Sequence, residues 1–295
     1  MKKIVPMLAI FSTVFFWGSS FPAMSFLLET SNPFILATGR FSLAFFLSVI
    51  WCLYNYKQKV KLNHLLRYFF AGFIGIFFYN LFLNHGQESV SAGASSFIVN
   101  CNPLFTALIG FFILKQKVSY IHWLGIIICM IGVGLISFDQ EGGLNIGSGS
   151  SLILFAAILT AIYFHLVKPL VLLYGAITST AYTIIFGTIP MLFWFPETFN
   201  FISQSSNDIR LTYLWLALFP TALGYLTWTY SVGFYGANKA SFFLYLIPPI
   251  SIILNFFWYQ KNPSLITIIG GFIILLSVFI TLFFTTKKTK SNILN

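Results

Sequence analysis

The sequence predicts an all-α membrane protein of ten transmembrane helices, arranged as two inverted five-helix repeats. Three observations carry the prediction: the length and number of apolar runs, the sidedness of the charges, and a self-match of the chain at an offset of 145 residues. Hydrophobic residues fill 58% and charged residues 7% of the 295 positions. A soluble domain carries about a quarter charged residues, so lipid is the solvent for most of this chain.

A helix needs roughly 20 apolar residues to cross the hydrocarbon core, because each residue rises about 1.5 Å and every backbone polar group must be satisfied within the segment. On that measure the spans fall at residues 4–25, 33–54, 67–85, 91–114, 121–138, 150–168, 177–196, 212–233, 238–259 and 264–285. Runs such as Ile126 to Ile136 and Phe272 to Phe284 are apolar on every side, which excludes the alternating strands of a β-barrel. The first run follows Lys2 and Lys3 as a signal peptide would. Its length, Trp17, Pro22 and the absence of a small-x-small cleavage site mark it as a retained span. Cys52, Cys101 and Cys129 all lie in apolar runs without metal-ligand spacing, so no disulfide, metal or other cofactor is expected.

Charge orients the spans. With the N-terminus in the cytoplasm, Lys2, Lys3, Lys57, Lys59, Lys61, Arg67, Lys115, Lys117, Lys168, Lys239, Lys287, Lys288 and Lys290 fall inside, and only Arg210 and Lys261 outside. The acids Glu29, Glu88, Asp139, Glu141, Glu197 and Asp208 all fall on outer loops or outer helix ends. The positive-inside rule therefore predicts a multi-pass protein of the cell inner (plasma) membrane with both termini cytoplasmic. The net charge of +10 is topological, and no nucleic-acid partner is expected.

The offset of 145 residues pairs Ala92 with Ala237, Ser96 with Ser241, Phe97 with Phe242, Pro103 with Pro248, Gly125 with Gly270 and Val133 with Val278. It divides the chain into a first repeat at 1–140, a second at 141–286 and a basic cytoplasmic tail at 287–295. An odd number of spans per repeat makes the second copy cross the membrane in the opposite sense, and inverted repeats permit alternating access around a central site. Transport of a small-molecule solute is the function this implies.

The first copy carries WGSSFPAMSF from Trp17 to Phe26, NPFILATGRFSLAFF from Asn32 to Phe46, and GQESVSAGASSFIVNCNPLFTALIGFFILKQK from Gly86 to Lys117. The second repeats the last block loosely as GANKASFFLYLIPPISIILNFFWYQK from Gly236 to Lys261. These residues resemble the drug/metabolite transporter superfamily, specifically its ten-span EamA-type members, over nearly the whole chain. The resemblance implies a central cavity lined mainly by spans 1, 3, 4, 6, 8 and 9, with spans 5 and 10 at the rear, and export of amino acids or amphipathic xenobiotics. The acid that the family often carries in the charged turn is Gln116 here and Lys261 in the second copy, so no essential carboxylate is expected there.

Polar residues inside the spans mark the candidate site. In the fourth span Ser96, Asn100 and Pro103 share a helical face, and Ser241, Tyr245 and Pro248 match them in the ninth. Matched prolines interrupt both halves, either as a binding region or as kinks that shape the bundle. Asn80 and Asn84 share a face of the third span, with Tyr225 and Thr229 as counterparts beside Trp228 in the eighth. Such faces either line a cavity or tie helices together. Trp17 and Ser20 of the first span, with Tyr163 and His165 of the sixth, complete a predicted chamber of aromatic walls and neutral hydrogen-bonding groups.

Arg40 lies about seven residues into the second span, on the order of 10 Å from its outer end, and must face protein or water. It serves either a solute carboxylate or a gate, or it anchors to helix-end carbonyls. Lys239 begins the ninth span, either snorkelling to the interface or holding an inner gate. The rear-span pairs Gly132 and Gly134, Gly270 and Gly271 suit close helix contact, in a homodimer or within one chain.

Export of an amphipathic metabolite such as an amino acid is the leading reading. Uptake of a host- or medium-derived metabolite or cofactor uses the same scaffold, and a membrane-embedded enzyme is the remaining alternative. The chain has no P-loop, no H-E-x-x-H, no paired intramembrane aspartates and no nucleophile elbow, which argues against ATP drive and against catalysis.

Overall fold

The computed structural model describes residues 4–55, 60–90, 95, 98–138, 149–259 and 264–291, and every regular element among them is helical. In chain order these are α1 (Ile4–Leu28), α2 (Pro33–Tyr54), α3 (Leu62–Gln87), α4 (Asn102–Ile113), α5 (Tyr120–Phe138), α6 (Ser150–Tyr174), α7 (Ala176–Gln204), α8 (Asn207–Tyr235), α9 (237–259) and α10 (Leu265–Ser291). Six of them, α1 to α3 and α6 to α8, are long and apolar enough to cross a membrane. Asn102–Ile113, Tyr120–Ile136 and Leu265–Thr281 are shorter apolar helices. Phe112, Leu172, Phe193, Phe272 and Phe279 stand more than half exposed on the outside of the bundle, as an apolar solvent allows.

Local chemistry sets the helix ends. Pro33 opens α2, where its missing N–H costs nothing, and the Asn32 side chain accepts from the backbone of Phe34 and Ile35 at 3.0 and 2.9 Å. A single glycine joins α6 to α7, and another joins α8 to α9: Gly175 and Gly236 hold φ of 81° and 79°, which a side chain would strain.

The third helix of each half contains a widened, i→i+5 turn, Phe73–Phe78 in α3 and Ala217–Leu223 in α8. The 145-residue offset lays one on the other. In α8 the wide turn holds Pro220, which cannot donate to the helical ladder. The chain is also interrupted ahead of the paired prolines, by a turn at Asn100 and Cys101 and by a tightened 3₁₀ stretch at Phe243–Leu246. A proline ring crowds the carbonyl four residues before it, and Val99 and Leu244 hold those positions for Pro103 and Pro248.

Small residues bring the rear helices together. A Cβ on Gly132 would lie 2.8 Å from the Gly270 carbonyl oxygen, and one on Gly270 would lie 2.7 Å from that of Gly132. Ser277 Oγ donates to the Gly125 carbonyl at 3.1 Å beside this contact. Gly132 and Gly270 thus pack α5 against α10 within one chain, while a Cβ on Gly271 would meet nothing within 4 Å.

Candidate functional site

A constricted cavity of about 50 Å³ lies at the centre of the bundle. α1 contributes Trp17, Ser20 and Met24, α2 Arg40, and α3 Gly75 and Tyr79. Asn100 and Asn102 flank the break before Pro103, α6 adds Thr160 and Tyr163, α8 adds Tyr225, and α9 adds Leu244 and Ile247. This volume holds a few waters and is far below the roughly 300–1,000 Å³ of a ligand pocket, so the chamber must widen to take a solute.

An aromatic wall encloses one side. Trp17 lies 5.3 Å from Trp228 and 5.6 Å from Tyr225 between ring centroids, and Phe164 lies 4.2 Å from Trp228. The Trp17 Nε1–H donates to the Pro220 carbonyl at 3.0 Å, and a Cβ on Gly224 would lie 2.9 Å from that nitrogen. Across the chamber, Tyr163 sits on the wide turn of α3 so closely that a Cβ on Gly75 would come within 2.3 Å of its ring. The first helix of each half thereby presses an aromatic ring into the widened turn of the other half's third helix.

Arg40 is 5% exposed and lines the cavity. Its Nε donates to Thr221 Oγ1 at 3.0 Å, and Nη1 approaches Met24 Sδ at 3.1 Å and Asn80 Oδ1 at 3.4 Å. Side chains, rather than helix-end carbonyls, receive the guanidinium. Thr221 comes from the wide turn of α8, so the buried charge ties the two halves together. Thr221→Val removes the acceptor while keeping the shape, and is expected to cost about 1.5–3 kcal/mol, since a bond to a charged group is lost. Thermal unfolding of the purified protein measures it, and an unchanged midpoint would show that the bond contributes nothing.

The predicted site residues divide. Trp17, Ser20, Asn100, Tyr163 and Tyr225 line the chamber together with Arg40. Asn80 and Asn84 face α2: Asn80 Oδ1 lies at a long 3.4 Å from Arg40 Nη1 while its Nδ2 donates to the Ile76 carbonyl, and Asn84 Nδ2 donates to the Pro33 carbonyl at 3.2 Å. The α3 residues that reach the cavity are Gly75, Tyr79 and Leu83, one position round the helix. Thr229 and Trp228 are fully buried behind the wall. His165 is outside the lining, and its Nε2–H donates to the Thr106 carbonyl at 3.0 Å.

Ser241 donates to the Asn238 carbonyl at 3.2 Å, and Tyr245 is fully buried against Phe242. Pro103 and Pro248 are buried, Lys239 is exposed, and Ser96 and Lys261 lie outside the described residues. Gln116 accepts from Asn238 Nδ2 at 3.2 Å, a neutral tie between the α4–α5 turn and the start of α9. Sequence reasoning missed Met24, Tyr79, Asn102, Thr160 and Thr221. Asn102 alone carried a signal, standing immediately before the matched Pro103.

A second recess, of about 500 Å³, lies between α1 and α8. Ala23, Phe26, Leu214 and Trp215 line it, it is apolar, and it is separate from the chamber. The Trp17 bond to Pro220 and a bond from Trp215 Nε1 to Ser19 Oγ at 3.2 Å join α1 to α8 beside these two spaces.

Comparison with known proteins agrees with this architecture. The pattern of the EamA-like transporter family matches residues 4–138 and again 147–283. The uncharacterized transporter YdfC of Bacillus subtilis (strain 168) is 31% identical over 274 residues, covering 93% of this chain and 90% of that one. A probable terminal-alkyne amino-acid exporter of Streptantibioticus cattleyicolor is 24% identical over 271 residues, covering 92% of this chain and 91% of that one. A solved crystal structure shares the fold at a TM-score of 0.73 and 15% identity, over 92% of this chain and 94% of the other. Two copies of the family pattern, a chain-long relative at this identity and the helical bundle agree: the protein belongs to the EamA-like transporter family and is an integral-membrane transporter, not an enzyme.

Proposed function

We propose that the protein is an inner-membrane secondary transporter of ten spans in two inverted repeats, at 1–140 and 141–286, with both termini cytoplasmic. It exports small amphipathic metabolites such as amino acids by alternating access. The observation that supports this reading is that both halves place matched elements around one constricted chamber: the widened turn of α3 lines it through Gly75, that of α8 adjoins it through Thr221 on Arg40, and the interrupted backbone ahead of Pro103 and Pro248 lines it from both sides. Equivalent parts on either side of a site allow the two halves to exchange roles as the chamber opens to one side and then the other. The polar and aromatic lining suits a solute with an apolar body and a hydrogen-bonding head. A relative carrying the name of a probable amino-acid exporter supports the solute class.

Reconstitution tests the proposal. Proteoliposomes preloaded with unlabelled amino acid are expected to accumulate the labelled one by counterflow, measured with and without an imposed pH gradient. Absence of flux for every class of amino acid would remove the amino-acid reading.

A further inference from the structure

Arg40 is a buried cation with no anion beside it among the described residues. Burying an ionised group is costly unless it is paired, and a charge inside a membrane protein that faces a cavity marks a solute path. The acids among the described residues are Glu29, Glu88, Glu197 and Asp208, and all four are exposed. The described residues that line the cavity include no carboxylate. The guanidinium rests instead on a hydroxyl, a thioether and an amide oxygen 3.4 Å away. A thioether is a weak acceptor, and 3.4 Å lies beyond the usual range of an N–H···O bond. Among the described residues Nη2 makes no hydrogen bond, so donor capacity is left over at the cavity wall.

We propose that Arg40 receives the anionic group of the solute, and that the chamber accordingly prefers an amphipathic organic monoanion to the zwitterion or the cation of the same carbon skeleton. This rests on the transport reading above and narrows its solute class, from the amino-acid zwitterion toward an organic anion. With Nε held by Thr221, the Nη1–Nη2 edge is the one on which a carboxylate sits bidentately, taking the place of Met24 Sδ. A monoanion neutralises the chamber. A zwitterion brings an ammonium that finds ring faces such as Trp17 and Tyr225 and the neutral hydroxyl and amide oxygens of residues such as Ser20, Thr160 and Asn102 but no carboxylate among the described lining residues, and a cation adds like charge to a low-dielectric space.

Three probes that share one skeleton separate these cases: 3-phenylpropanoate, phenylalanine and 3-phenylpropylamine, titrated at constant ionic strength against the purified full-length protein while thermal stability is recorded. Half-maximal stabilisation is expected at a concentration at least about tenfold lower for 3-phenylpropanoate than for phenylalanine, with none from the amine. Arg40→Gln is expected to weaken the response to the anion about tenfold or more, and Arg40→Lys to retain part of it. If Arg40→Gln does not fold, the ranking on the unaltered protein decides.

Stabilisation by the amine equal to that by the anion overturns the proposal. So does an unchanged response to the anion in Arg40→Gln, or no response to the anion in the unaltered protein. Counterflow of phenylalanine at full rate in Arg40→Gln would sink the role of Arg40 and leave transport standing. Absence of flux for every solute would instead remove the transport reading.

Discussion

Replacing Gly72 by valine is expected to lower the thermal midpoint of the purified protein by on the order of 10 °C, the effect of about 3 kcal/mol or more of overpacking. A Cβ at Gly72 would stand 2.4 Å from the Thr183 carbonyl oxygen and 2.6 Å from the Gly187 nitrogen. Both are backbone atoms and cannot swing aside as a side chain would. The contact is reciprocal, because a Cβ on Gly187 would lie 2.7 Å from the Gly72 carbonyl oxygen. This crossing of α3 and α7 joins the two halves immediately before the widened segment of α3, so forcing it apart disturbs the wall of the chamber as well. Gly271→Ala, where the added carbon meets nothing within 4 Å, is the matched control and should leave the midpoint unchanged. Equal midpoints for Gly72→Val and the control would mean that the helices are not in this close contact.

Trp17→Ala should be the most damaging single change at the chamber, costing about 3–5 kcal/mol in stability and abolishing counterflow. The indole packs on Trp228 and Tyr225 and covers Gly224, so alanine leaves a hole where two halves meet. Its Nε1–H also serves the carbonyl of Pro220 inside the wide turn, where the helical ladder is already interrupted. Trp17→Phe separates the two contributions. It keeps most of the ring packing, removes the indole donor from that carbonyl, and is expected to cost only about 1–3 kcal/mol. Thermal unfolding beside counterflow in the same preparations checks both variants. Equal damage from phenylalanine and alanine would show that the hydrogen bond, and not the packing, dominates.

Helical class and the positions of the apolar runs were legible in the sequence because lipid imposes one requirement on every exposed residue and leaves few ways to meet it. Arg40 was legible for the same reason: depth alone forces it toward protein or water. The faces of α3 and α8 were not. A spacing of four residues states that Asn80 and Asn84 share a face, but not which neighbour meets it. Asn84 meets the Pro33 carbonyl, and Tyr79 turns to the cavity in its place. Thr221 gave no signal at all, since a threonine in an apolar run is ordinary until an arginine from another helix arrives at 3.0 Å. The sequence predicts His165 in the chamber lining, yet it lies outside it and donates across to the Thr106 carbonyl, a partner 59 positions away.

The widened turns of α3 and α8 have a mechanical meaning. Each inserts a surplus residue into an otherwise regular ladder, as an extra half-plane of atoms does in a crystal, and such a dislocation glides by exchanging a few bonds at a time instead of breaking a whole plane. If the surplus shifts along the helix, the stretch it passes turns by about 100°, the angle of one residue, while the ends stay where they are. Tyr79 and Asn80 differ by that angle. In α3 the ring of Tyr163 packs on the surplus turn and in α8 Trp17 bonds to it, so any such shift in one half would have to displace a ring that belongs to the other.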